Sequence, residues 1–244
     1  MRSIISMPQD GHAVKLQKGA KATLQGATTS DYFPNARYGR IDTIKAGFAT
    51  YMSIRAIEFH KPYGVLPCFT DSEGRPTLAD YIAVPRVYAA GRLDQDSEGL
   101  MILTSNGALA NRITDPQHKL PKVYLVQVER IPDEPAIKRL CTGVLLGGKR
   151  TRPAQVRGLD TEPPLPERAV PIRFRKNVPT AWLEIIIQEG MNRQVRRMTA
   201  AVGHPTLRLV RIAIGPVRLG DLKPGEWRAL EEDEIKAINQ LSDL

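Results

Sequence analysis

The sequence predicts an α+β fold built on a mixed, mainly antiparallel sheet flanked by helices. Strand signals follow one another directly with few long helices between them, which disfavours the βαβ alternation of a parallel sheet. The 244 residues correspond to roughly 1.6 domains of about 150 residues, hence one large domain or one domain plus an appendage. The composition, 42% hydrophobic and 25% charged, is that of a globular chain with a real core. No window approaches the roughly 18 consecutive apolar residues of a membrane span. The opening Met1 to Pro8 is too short in apolar residues for a secretory signal.

Residues 1 to 51 are rich in Gly, Ala, Thr and Lys without a period of 2 or 3.6, so a flexible basic extension is expected there, a solubilising tail or the product of a misplaced start codon. The folded domain is expected over residues 52 to 244. Ile54 to Phe59 reads as a strand, and Thr77-Leu78-Ala79-Asp80 as a capping box opening a short helix. Val87 to Ala90 and Leu100 to Leu103 are further strands, followed by a helix over Gly107 to Ile113. Lys122 to Glu129 alternates cleanly, with Tyr124, Val126 and Val128 on one face. Glu134 to Cys141 is a helix stopped by Gly143. The proline-rich stretch Gly158 to Pro179 is expected to be a connector. A strand over Ala181 to Gln188, a helix from Arg193 to Val202, a strand over Leu207 to Ile212 and a helix near Glu232 to Leu241 complete the chain.

Charge and cysteine usage narrow the function. The two cysteines, Cys68 and Cys141, form no CxxC pair, so a disulfide framework or zinc knuckle is not expected and a reducing cytoplasm fits. The formal net charge is +9, and between Ile186 and Arg218 six arginines face one acid, Glu189. Arginine concentrated in this way suits a polyanion such as nucleic acid, although a solvated basic face has the same composition.

Two stretches carry chemistry. Gly91-Arg92-Leu93-Asp94-Gln95-Asp96-Ser97-Glu98-Gly99 sets three acids and an arginine in a glycine-bounded turn between apolar strands. It is not a calcium loop: counting from Asp94, the position that requires a bidentate Glu is Ser105. The second stretch, Glu189 to Met198, makes an amphipathic helix with Asn192 as the expected N-cap. Arg193, Arg196 and Arg197 fall in its first turns, where the helix dipole disfavours cations by a few tenths to about 1 kcal/mol each. That arrangement makes an anion site, suited to an RNA phosphate, an enzyme carboxylate, or both.

GRLDQDSEGL, then KVYLVQVE, then EGMNRQVRRM together resemble the RsuA/RluB/RluE/RluF family of ribosomal RNA pseudouridine synthases. The resemblance runs from about Phe59 to Arg228 and is closest to large-subunit members without the S4 RNA-binding module, which is not found here. It implies the pseudouridine synthase fold with a central catalytic cleft. It further implies a site in which Asp94 is the nucleophile, Arg196 the cation paired with it, and Tyr124 the aromatic stacking on the base and a candidate base for C2′. By the same likeness Arg92 opens and holds the flipped nucleotide, and Lys122, Asn192, Arg193, Gln194, Arg197, Arg208 and Arg211 contact RNA. Asp96 and Glu98 are read as structural turn acids. The implied partner is 23S ribosomal RNA or the assembling large subunit, met in the cytoplasm by a monomer without a membrane. No cofactor is expected, since the chain lacks His/Cys ligand spacing and a glycine-rich phosphate loop. A glycoside or nucleoside hydrolase would share the carboxylates without using the arginines; a non-catalytic assembly factor would keep the basic helix and not need Asp94.

Overall fold

Alternation along the strands decides how the sheet is covered. The computed structural model describes residues 56–172 and 175–241, so the expected extension over residues 1 to 51 lies outside the described residues. The elements in order are β1 (Ala56–Lys61), β2 (Tyr88–Ala89), β3 (Glu98–Thr104), α1 (Gly107–Thr114), β4 (Lys122–Glu129), α2 (Glu134–Thr142), β5 (Leu145–Leu146), β6 (Lys149–Arg150), β7 (Gln155–Leu159), β8 (Thr180–Ile187), α3 (Gln194–Ala201), β9 (Thr206–Ile214), β10 (Val217–Arg218), β11 (Trp227–Ala229) and α4 (Glu232–Gln240). Nine strands form one sheet in the order β11-β1-β3-β9-β4-β8-β7, with β2 added to β3 and β10 to β9. Among the described residues only β3 and β9 pair in parallel; the other pairings are antiparallel.

β3 is buried along its whole length because both faces of the sheet are covered. Its alternate residues feed two cores. Met101 and Leu103 join Phe59, Val126 and Ile185 beneath α2 and α3, which contribute Leu140, Val195 and Met198. Leu100 and Ile102 join Val210 and Ile214 beneath α1 and α4, which contribute Leu109 and Ile238. Burying an aliphatic side chain of this size is worth about 1.5–3 kcal/mol, so α3 is fixed by Val195 and Met198 despite its unfavourably placed arginines. Asn106 caps α1 by accepting from the Ala108 and Leu109 amides, and Asp133 caps α2, which ends at Gly143 with φ +91°. The capping box at Thr77 and Asp80 forms as the sequence predicts.

The stretch predicted as a connector from Gly158 is corrected at its start, because Gly158 and Leu159 end strand β7, paired with β8 at Leu183 and Trp182. The short strands β5, β6, β10 and β11 carry no period of their own and were not visible in the sequence. Among the described residues no helix is long and apolar enough to cross a membrane.

Candidate active site

The acidic turn is held from behind by a buried lysine. Lys61, at the end of β1, is fully buried, and its ammonium donates to the carbonyl oxygens of Pro62 (2.9 Å), Val65 (2.7 Å) and Gln95 (3.3 Å). The Gly64 amide donates to the same Gln95 oxygen at 2.9 Å. Burial pulls the Lys61 pKa down to about 8 against the attraction of Glu98, Asp96 and Asp94. The turn is thereby fixed between two strands, with the Ser97 amide donating to the Asp94 carbonyl oxygen. Lys61 was missed in the sequence because its role exists only once β1 and the turn are neighbours.

The basic helix closes on this turn differently from the sequence expectation. Asn192 is not the N-cap. Arg193 occupies that position in the left-handed region (φ +48°) without a side-chain cap, and α3 begins at Gln194. That backbone turn sends the Arg193 guanidinium to Asp96, with hydrogen bonds of 2.9 and 2.7 Å, and leaves it 3.6 Å from the Asp94 carboxylate. Arg196 likewise pairs with Asp96 rather than Asp94. Its Nε lies 3.4 Å from the Asp96 carboxylate, off the hydrogen-bond direction, and its Nη2 donates to the Asp96 carbonyl oxygen. Burial raises the Asp96 pKa, but the Arg193 hydrogen bond and the charges of Arg196 and Arg193 outweigh it and hold the group below the usual carboxylate range. Asp94 itself is left with 30% of its side chain exposed toward the cleft.

The cleft has a volume of about 370 Å³, and Arg92, Asp94, Lys122, Tyr124, Asn192, Arg193, Gln194 and Arg211 all line it. Its apolar walls include Ile187, Val195 and Leu209. Tyr124 and Arg211 are register partners across β4 and β9. Gly99, beside the cleft, has φ +102°, and a Cβ there would overlap the Arg211 backbone oxygen, so glycine is required for β3 to approach β9. Burial, and then the charge of Arg211, pull the Lys122 pKa down to about 8. Among the described residues no cluster of three or more His, Cys, Asp or Glu is placed to hold a metal ion.

An acidic turn, a strand tyrosine and an arginine helix converging on one cleft agree with comparison to known proteins, in which residues 56–201 match the family model for RNA pseudouridylate synthase. The chain belongs to the RNA pseudouridylate synthase family. It is 58% identical over 181 residues to a Xanthomonas campestris protein named ribosomal large subunit pseudouridine synthase E, spanning 73% of this chain and 95% of that relative. A Vibrio parahaemolyticus protein of the same name is 55% identical, over 72% of this chain and 74% of that relative. A crystal structure titled pseudouridylate synthase superposes with a TM-score of 0.63 at 31% identity, covering 75% of this chain and 73% of that one. The protein is accordingly an enzyme of the pseudouridine synthase type, with the fold expected of that family.

Within this synthase the predicted RNA-contacting residues divide. Arg92, Lys122, Asn192, Arg193 and Arg211 line the cleft. Arg208 is removed from the RNA-contact set: it is buried, and its guanidinium donates to both Glu98 carboxylate oxygens at 3.1 and 2.9 Å. Gln194 is corrected as well. It lines the cleft but is buried, and its amide is committed to the Glu189 carboxylate and the Met191 amide. Arg197 lies outside the cleft lining and reaches the Asn192 carbonyl oxygen at 3.5 Å.

Proposed function

We propose that this enzyme isomerises uridine to pseudouridine at one position in 23S ribosomal RNA, free or in the assembling large subunit. Asp94 is the nucleophile, Tyr124 is the platform for the flipped base, and Arg92 holds the opened nucleotide. Arg193 orients Asp94 in the resting cleft, and Arg196 keeps the turn in place through Asp96. Residues 52 to 244 make the catalytic domain, which works as a monomer in the cytoplasm.

The observation that carries this reading is the cleft itself, where Asp94 and Tyr124, from separate elements, stand together among Arg92, Lys122, Arg193 and Arg211. A carboxylate beside an aromatic in a cationic cleft suits attack at C1′ of a base stacked out of its helix. The relatives' names direct the choice of RNA. Recognition by the cleft and its rim favours a uridine in a loop or junction, which unstacks most readily.

The test is incubation of 23S, 16S and transfer RNA transcripts with wild-type enzyme and Asp94→Asn, followed by mapping of pseudouridine. A single modified position in 23S RNA is expected. Asp94→Asn should fall below about 1% of wild-type turnover with affinity changed only a few-fold, because the amide keeps the shape without the nucleophile. Release of free uracil would mark a hydrolase, and equal modification of transfer RNA or several scattered sites would contradict the narrow substrate.

A further inference from the structure

We propose, on the isomerase reading above, that Lys122 and Arg211 form a cationic floor that takes up the negative charge of the uracil ring while it is detached from the sugar. Lys122 opens β4 and Arg211 lies in the neighbouring strand β9, and both line the cleft with Asp94 and Tyr124. Lys122 is only 9% exposed and Arg211 only 5%. Arg211 donates Nε to the Leu100 carbonyl oxygen at 2.7 Å, while its Nη2 is buried with no hydrogen-bond partner. The charge acting on Lys122 among the described residues is the repulsive one of Arg211. Among the described residues neither cation is ion-paired with Asp94 or Glu189, the carboxylates that share the cleft. Burying neighbouring cations unpaired is costly, and a cleft needing stability alone would set a paired acid or an apolar pair there. The missing partner is an anion that arrives with the substrate.

The reaction generates such an anion at this place. When the N1–C1′ bond breaks, its electron pair leaves with N1 and spreads over O2 and O4, and the Asp94 carboxylate oxygen bonds to C1′. The ring then turns, C5 bonds to C1′ and displaces the carboxylate, the C5 proton passes to water and N1 takes up a proton. Nothing is oxidised or reduced overall. In the detached interval the uracil carries one negative charge on carbonyl oxygens, and fixed donors in a dry cleft stabilise it without reorganising. O2 and O4 are both acceptors, so the floor keeps contact as the ring turns.

The charged and titratable groups sharing the cleft with Lys122 are Tyr124, Arg211, Arg92, Asp94, Glu189 and Arg193. Lys61, buried behind the turn, also titrates near 8, so the variants must separate the two lysines. Single-turnover isomerisation and RNA affinity are measured across the neutral and alkaline range for wild type, Lys122→Met, Lys122→Arg and Arg211→Met. Each Met variant should lose about 100-fold in rate with affinity changed only a few-fold. The wild-type rate should fall above about pH 8. Lys122→Arg, which keeps its charge at high pH, should retain about a tenth of the rate or more and lose that fall. A fall persisting in Lys122→Arg belongs to a group other than Lys122 and overturns the proposal. Full rate with weakened, less salt-sensitive binding in the Met variants overturns it in favour of a phosphate contact. A wild type that isomerises no uridine overturns the functional reading itself, whereas an active wild type with an equally active Lys122→Met overturns the cationic floor alone.

Discussion

Arg208 and Arg211 lie on the same strand, both buried, and meet opposite fates. The parallel register sets β3 beside β9 with Glu98 against Val210 and Gly99 against Arg211. Arg208 therefore finds the Glu98 carboxylate and closes into a bidentate pair, completed by the Pro166 carbonyl oxygen. Arg211 faces a glycine, donates Nε to the Leu100 carbonyl oxygen and keeps a buried Nη2 without a hydrogen-bond partner, while the residue lines the cleft. The two arginines stand three residues apart in β9 and so lie on opposite faces of the sheet: the same side chain is a structural member on one face and a reagent on the other. A charge completed by the fold belongs to stability, and a charge left incomplete belongs to the substrate.

Breaking the completed pair gives the largest expected effect on stability. Glu98→Gln leaves the Arg208 guanidinium buried without its counter-charge, which costs about 3–5 kcal/mol, read as a lowered urea midpoint. Replacing both partners by apolar residues, Glu98→Met with Arg208→Leu, should recover most of that loss, because the double variant leaves no unpaired charge. A double variant as unstable as the single one would show that the pair is worth more than its own desolvation. A smaller cost follows from closing the gap that makes the difference. Gly99→Ala places a Cβ against the Arg211 backbone at a φ that L-residues avoid, where the strained backbone alone costs about 1–3 kcal/mol. It should also slow isomerisation by displacing Arg211. Unchanged melting and unchanged single-turnover rate would show that β3 and β9 can separate freely.

Much of the scaffold was legible because its signals are local. The alternation of Val123 to Val128 and the Val195, Met198 spacing are properties of neighbours in sequence, and β4 and α3 form where those patterns run. The strands β5, β6, β10 and β11, two or three residues each, exist only through their pairing partners. In the site, Asp94 and Tyr124 could be named from family resemblance, and the structure sets both in one cleft. The arginine pairings could not be read. Asp94 and Asp96 are equally plausible partners in sequence, and the left-handed backbone at Arg193 and the pairing of Arg193 and Arg196 with Asp96 are tertiary outcomes. Lys61 was invisible for the same reason, since its three carbonyl acceptors come together only in the folded turn.

The contrast between completed and incomplete charges is tested most directly by urea unfolding of Lys122→Met beside wild type as a function of pH. Folding lowers the Lys122 pKa from 10.5 to about 8, so the unfolded chain binds this proton more tightly, and the wild type is penalised below pH 8 and gains stability as pH rises from about 8 to 10.5. The variant has no such penalty. It should be more stable than wild type at neutral pH by about 1–3 kcal/mol, with the difference shrinking through that alkaline window, even as it loses activity. A Lys122→Met protein less stable than wild type at neutral pH, by the same difference at every pH, would mean that Lys122 is completed by the fold and that the cleft holds no charge in reserve for its substrate.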